Sequence, residues 1–213
     1  MKYTDPDGNY LEVSDNGDGT FIIIGGEVNS DKNIYIMNDG VFSGILGQMM
    51  TENSFFDEGL LVKGAIIDCN DTSGADFINN FEENTPDIFS YIDNARNGKA
   101  YDFKDLGKSN LKGIDLNKYR HRGMPLGNNI FGSARDVGNY AAGYVAGKSG
   151  LFWGEARLGF DAYQSFKSRR ITTEGAATQA AQRIGFSAGS NSPEGKAVIE
   201  YRSKRLQMLL TRW

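Results

Sequence analysis

The spacing of apolar residues changes near residue 74, and this change most constrains the fold. Before it, "NYLEVSDNGDGTFIIIGGEV" has two apolar runs around a Gly/Asp/Asn cluster, which is typical of a β-hairpin. "NIYIMNDGVFSGILGQ" repeats this pattern around "NDG", and "LLVKGAIIDCND" adds another strand. After it, apolar residues recur at helical spacing. The sequence therefore predicts an α+β protein, with a β-rich region of hairpins over residues 1–74 and a mainly α-helical domain of four to six helices over residues 75–213.

Start signals predict where individual helices begin. Pro86 predicts the start of a short second helix, with Thr85 as its N-cap. The basic, Gly- and Asn-rich segment 96–129 is predicted to be mostly loop, and loops of this length are uncommon unless they are functional. Further helices are predicted over about 133–147, about 151–168, about 173–187 with Thr172 or Thr173 as N-cap, and from Pro193 onward with Ser192 as N-cap.

Membrane and export signals are missing from the sequence. No stretch has the ~20 apolar residues that a membrane-spanning helix needs, so we predict no stable membrane insertion. The polar opening "MKYTDPDGNY" lacks the apolar core of a signal peptide, and we expect any export to use a dedicated machine. The single cysteine, Cys69, excludes an intrachain disulfide and a cysteine-rich zinc site. Its place after "GAII" predicts a buried structural thiol.

Charge is divided unevenly along the chain. Residues 1–100 carry 5 Lys and Arg against 18 Asp and Glu, a net charge of −13, whereas residues 101–213 carry 18 against 9, a net charge of +9. A basic half favours an anionic partner such as nucleic acid, a cell-wall polymer or a membrane surface. The alternative is that the acidic half docks against the basic half.

The inventory of reactive residues limits the chemistry. The sequence has no phosphate-binding P-loop, no H-E-x-x-H zinc motif, no G-x-S-x-G nucleophile elbow and no G-x-G-x-x-G dinucleotide loop. With one histidine and one cysteine, we predict no metal site and no cofactor. Carboxylates, amides, basic side chains and His121 remain. This set suits hydrolysis by general acid–base catalysis, as in a two-carboxylate glycosidase or a metal-independent nuclease.

The stretch "SARDVGNYAAGYVAG" (133–147) carries the first candidate site. On a helix, Asp136, Asn139, Gly143 and Gly147 share one face. In one interpretation the glycines admit a neighbouring helix, and Asp136 caps its helix or pairs with Arg135. In the other, Asp136 and Asn139 project into a cleft. Further polar candidates on the helices that follow are Glu155, Gln164, Glu174, Gln179 and Gln182, with a possible Arg157–Asp161 pair.

Several segments resemble the C-terminal toxin regions of bacterial polymorphic toxins. "YTDPDGNYLEV" resembles the junction that closes an RHS-repeat core and precedes a variable toxin. "NGKAYDFK", "YRHRGMPLGN", "SARDVGNYAAGYVAG" and "TEGAATQAAQRIG" are similar to the group called bacterial toxin 44, over about residues 95–190. That group pairs a "W-D-[YF]-K"-like segment with an "E-D-F-G-N-x-x-x-G" helix. Here Tyr101 replaces the usual tryptophan and Arg135 replaces the usual acidic residue.

The resemblance implies site residues and a biological setting. It carries over to Asp102, Lys104, Asp136 with Gly138 and Asn139, and Gln179. It implies an antibacterial effector released by a contact-dependent machine such as a type VI secretion system. Such an effector acts in the periplasm or cytoplasm of the target bacterium and has a cognate immunity protein as partner.

Three functions follow as hypotheses. The first is a peptidoglycan hydrolase, with Asp136 and Glu174 as acid–base residues and Asn139, Asp102, Lys104, Arg135 and Gln179 binding substrate. The second is a nuclease, in which "KYRHR", "KSRR" and "RSKR" hold phosphates and His121 is catalytic. The third is a non-enzymatic binding module.

Overall fold

The computed structural model describes residues 10–28, 30–96, 98–168 and 173–210. It confirms the α+β class, since a mixed sheet is followed by a mainly helical part. The strands are β1 Leu11–Asp15, β2 Thr20–Gly26, β3 Asn33–Asn38, β4 Val41–Met49, β5 Phe56–Asp57, β6 Leu60–Leu61, β7 Ile66–Asp68, β8 Gly123–Gly127 and β9 Ile130–Ser133. The α-helices are α1 Ser73–Glu83, α2 Ile88–Asn94, α3 Gly113–Arg120, α4 Ala134–Lys148, α5 Trp153–Ser168, α6 Ala176–Asn191 and α7 Pro193–Leu210.

Both predicted hairpins are present. β1 pairs with β2 and β3 with β4, antiparallel in each case. The turn of the second hairpin has positive φ at Asp39 (51°) and Gly40 (76°). Two successive residues of this kind give the turn whose twist matches that of the flanking strands, which explains the choice of Asp-Gly.

Seven strands close into a barrel in the order β1-β2-β7-β8-β9-β4-β3. Their inward side chains form the first hydrophobic core, in which Leu11, Ile23, Ile34 and Ile67 are fully buried. Because β8 and β9 come from the second half of the chain, the barrel draws on residues from both sides of position 74. Cys69 follows β7 and is half-buried against this core, and burial raises the pKa of its thiol.

Segment 96–129, predicted to be mostly loop, also has regular structure that the sequence did not indicate. It contains a 3₁₀ helix at Phe103–Asp105, helix α3 and strand β8. The strand is hard to recognise because Gly123 stands where a side chain cannot fit. A Cβ there would lie 2.7 Å from Ile67 Cγ1 and 2.8 Å from the ring of Phe55. Close packing of β8 against Ile67 and Phe55 therefore requires glycine at position 123. The same glycine makes this segment resemble a loop in the sequence.

Two predicted helix caps also differ from the structure. The N-cap of α2 is Asp87, whose carboxylate accepts hydrogen bonds from the backbone N–H groups at positions 89 and 90. Thr85 instead donates its hydroxyl to carbonyls of the last turn of α1, at positions 81 and 82. The N-cap of α6 is Gly175 and not Thr173. Thr172 lies outside the described residues. Ser192 behaves as predicted, since its hydroxyl accepts from Gly195 N at 3.1 Å.

Glycines bring α4 and α6 into close contact. A Cβ on Gly143 would overlap the carbonyl oxygen of Gln182, and one on Gly185 would overlap the carbonyl oxygen of Tyr140. Gly147 and Gly189, one turn further along their helices, are equally close to the partner backbone. The two helices thus meet backbone to backbone, as the first interpretation of the stretch 133–147 predicts.

None of the helices in the described part of the chain is both long and apolar enough to span a membrane.

Candidate functional site

A cavity of about 170 Å³ lies between α2, α4, α5 and α6 and is closed on one side by residues 101–104. Its polar lining residues are Asp102, Lys104, Asn139, Gln164, Glu174 and Gln182, with the phenols of Tyr91, Tyr101 and Tyr163. It combines carboxylates, amides and aromatic rings, which is the composition typical of a small-ligand or catalytic site.

Glu174 is held in the cavity by a network of hydrogen bonds. Its Oε2 accepts from Arg157 Nη1 at 3.1 Å and from Gln182 Nε2 at 2.7 Å. Arg157 also donates to Gln182 Oε1 at 2.8 Å and forms an ion pair with Asp161. The backbone N–H of Glu174 donates to Asp161 Oδ1 at 3.1 Å. The segment before α6 is therefore fixed to α5, and the carboxylate has a defined position.

Asp102 enters the cavity from the residue that precedes the 3₁₀ helix. It is only 5 % exposed, and its Oδ2 accepts a hydrogen bond from Gly98 N at 3.0 Å. Its charge acts on two phenols of the cavity. Burial raises the pKa of Tyr91, and the charges of Asp102 and Glu174 raise it further. The pKa of Tyr163 is likewise raised by burial and by Asp102. Both carboxylates therefore lie close enough to Tyr91 to affect its titration.

Helix α4 supplies Asn139 and Gly138 to the same cavity. The Nδ2 atom of Asn139 is buried and has no hydrogen-bond partner within the described part of the chain. Position 138 is open, since a Cβ built there would meet no atom within 4 Å. Asn139 thus lines a cavity, as the second interpretation of the stretch 133–147 predicts. Gly143 and Gly147 admit a neighbouring helix, as the first interpretation predicts.

The structure brings six of the candidate residues together: Asp102, Lys104, Asn139, Gln164, Glu174 and Gln182. Gln179 lies behind them, where its side-chain amide donates to the carbonyl oxygen of Glu174 at 2.6 Å. The aromatic lining was not predicted. Tyr91 and Tyr101 stack with ring centroids 5.8 Å apart, although ten residues separate them in sequence. No short motif joins these two positions, so the sequence carries no signal for this platform.

Asp136 does not line the cavity. It is completely buried and forms a capping box with Ser133: Ser133 N donates to Asp136 Oδ2 at 3.0 Å, and Asp136 N donates to Ser133 Oγ at 3.2 Å. Burial raises the pKa of Asp136, against the opposing effects of the Arg135 charge and the Ser133 hydrogen bonds. The structure places this residue in a helix cap and away from the cavity, and the predicted catalytic pair of Asp136 and Glu174 is not formed.

Arg135 and His121 lie on the barrel side of α4, also outside the cavity. Arg135 donates to the carbonyl oxygens of Asn53 and Phe56 at 2.9 and 2.8 Å and pairs with Asp57 at 3.4 Å. His121 is 1 % exposed, and its Nδ1 lies 2.9 Å from the carbonyl oxygen of Asn117. Arg135 therefore ties α4 to the segment around β5, whereas the hydrogen bond of His121 stays within the end of α3.

Burial, reinforced by the nearby charge of Arg135, lowers the pKa of His121 to about 4. In the unfolded chain His121 takes up a proton near pH 6.5, whereas in the folded chain it does so only near pH 4. We therefore expect the free energy of unfolding to fall by about 3 kcal/mol as the pH drops through this window. Asp136 opposes this trend, because its raised pKa favours the folded state once it is protonated.

Urea unfolding between pH 7 and 5 measures this effect. His121→Gln should flatten the slope of unfolding free energy against pH, whatever its effect at pH 7. An unchanged slope in His121→Gln would show that another group causes the dependence.

No group of three or more His, Cys, Asp or Glu side chains in the described ranges is arranged to hold a metal ion. Comparisons of the chain with protein-family models, with curated proteins and with solved structures found no match.

Proposed function

We propose that the chain is an antibacterial effector that hydrolyses the glycan of the target cell wall, with Asp102 and Glu174 as its acid–base pair. The observation that carries the proposal is that these two carboxylates, 72 positions apart in sequence, line one cavity together with Asn139. The effector setting comes from the resemblance to polymorphic toxins. Asp102 takes the acid–base role that the sequence predicted for Asp136.

The chemistry of the cavity supports glycan cleavage. Hydrolysis of a glycosidic bond needs one carboxylic acid to protonate the leaving oxygen and one carboxylate to activate water or attack the sugar. Asn139 supplies an amide group for a sugar hydroxyl, and the rings of Tyr91, Tyr101 and Tyr163 give the cavity an aromatic wall. Lys104 adds a positive charge that suits the anionic wall polymer.

His121 and three arginines of the segments KYRHR and RSKR give less support to a nuclease, while Arg169 and Arg170 of KSRR lie outside the described residues. His121 is buried away from the cavity. Arg120 forms a two-point ion pair with Asp105, at 2.7 and 2.8 Å. Arg122 stacks on Tyr119 and donates to backbone carbonyls. Arg202 pairs with Glu155 at 2.9 Å. These cations are held by the protein itself, whereas phosphate binding needs them directed outward.

The test is digestion of purified wall sacculi by the full chain. We expect loss of turbidity and release of soluble muropeptides, and toxicity in a susceptible bacterium only when the chain carries an export signal. Intact sacculi, with toxicity confined to cytoplasmic expression and degraded RNA or DNA, would replace the proposal with a nuclease. Intact sacculi and normal growth in both compartments would leave a binding module.

A further inference from the structure

The cavity contains a hydrogen-bond donor that the protein does not use. Asn139 lines the cavity, and its Nδ2 atom is buried and has no acceptor in the part of the chain that the structure describes. An unpaired buried donor is costly and uncommon in folded proteins. A ligand oxygen in the cavity would remove this cost.

Two helical glycines leave open space beside this donor. Gly138 on α4 and Gly159 on α5 both line the cavity, and a Cβ on either would meet no atom within 4 Å. Glycine weakens a helix relative to alanine, so helical glycines that line a cavity invite the question of what excludes a methyl group there. At Gly143 and Gly185 the excluding group is the partner helix. At Gly138 and Gly159 no atom of the described residues does so.

Part of the cavity wall is apolar and made mostly of small side chains. Its members are Ala142, Val145, Ala146, Leu151 and Ala156. The cavity therefore offers an amide donor next to a small apolar recess. This combination matches an acetamido group, which presents a carbonyl oxygen and a methyl group a short distance apart.

We infer that the cavity binds the acetamido group of an N-acetylated sugar, with Asn139 donating to its carbonyl oxygen and the recess holding its methyl group. The inference rests on the proposed function and names the substituent by which that site selects its glycan. A sugar with a hydroxyl group in place of the acetamido group leaves the recess unfilled. A peptide carbonyl also accepts from an amide, but it brings a chain on both sides that the small recess does not accommodate.

Binding to short oligomers tests the inference separately from catalysis. Calorimetry or ligand-observed NMR would use the full chain with three probes: the β-1,4-linked tetramer of N-acetylglucosamine, the β-1,4-linked tetramer of glucose, and an alanine-rich tetrapeptide. Glu174→Gln serves as a second host protein in which the tetramer is not cleaved. We expect the N-acetylated tetramer to bind about tenfold more tightly than the glucose tetramer.

Variants of the cavity and a matched control complete the test. Asn139→Ala and Gly138→Ala should each remove most of the tenfold preference. Gly154→Ala should keep it, because position 154 is also open on α5 but does not line the cavity. Equal binding of both tetramers, or preference for the peptide, overturns the inference even if sacculi are digested. Intact sacculi together with a preserved preference overturn the proposed reaction and leave the inference standing.

Discussion

Replacing Glu174 by glutamine is expected to reduce muropeptide release from sacculi by at least ~100-fold, because a positioned acid–base group contributes roughly 10²–10⁴-fold to the rate. The substitution keeps the size of the side chain and an oxygen that can accept from Arg157 and Gln182, so the hydrogen-bond network of the cavity is retained in part. Asp102→Asn should have a loss of similar size, because either carboxylate alone leaves the reaction without its acid or its base.

Glu155→Gln is the matched control for this experiment. Glu155 is also an acidic residue paired with an arginine, at 2.9 Å from Arg202, and it lies on α5 without lining the cavity. Its replacement should leave muropeptide release within about twofold of the wild type. Each variant is first shown to be folded by thermal unfolding. Full activity in folded Glu174→Gln, measured against an active wild type, would remove Glu174 from the catalytic pair.

The helical part of the fold could be predicted because its signals are local. The predicted start and end of α4 lie within one residue of the observed bounds, and Ser192 caps α7 as expected. The barrel could not be predicted, because its closure depends on β8, which lies in the segment predicted as a Gly- and Asn-rich loop, and on β9, a strand of only four residues. Only the packing against Ile67 and Phe55 explains why Gly123 is there.

The site was predicted in its residue types but only partly in its geometry. Asp136 and Asn139 are one helical turn apart, yet the first is in a capping box and the second lines the cavity. A signal for the first was present, since Ser133 stands three residues before the acidic Asp136, a spacing typical of that box. Nothing local indicates that Asp102 and Glu174 line one cavity, because that depends on how α4, α5, α6 and the segment around Asp102 pack.

Close packing of α4 against α6 gives the largest expected effect on stability. Gly143→Ala should lower the free energy of unfolding by about 3 kcal/mol or more, at the upper end of the cost of overpacking. The new methyl group would overlap the carbonyl oxygen of Gln182 and lie 2.7 Å from Phe186 N, and neither backbone atom can move without moving α6. The measurement is urea unfolding followed by far-ultraviolet circular dichroism. If the unfolding free energy depends on urea concentration with the same slope as in the wild type, two-state behaviour is retained.

The open glycine on α5 and a double variant make this prediction specific. Gly154→Ala should raise the free energy of unfolding by about 0.5–1 kcal/mol, because alanine favours the helix and meets no neighbour there. Gly185→Ala should destabilise as much as Gly143→Ala. The double variant should lose less than the two single losses together, because helices already pushed apart by one methyl group have room for the other. Wild-type stability in Gly143→Ala would mean that α4 and α6 do not meet backbone to backbone, and the cavity beside them would have a different shape.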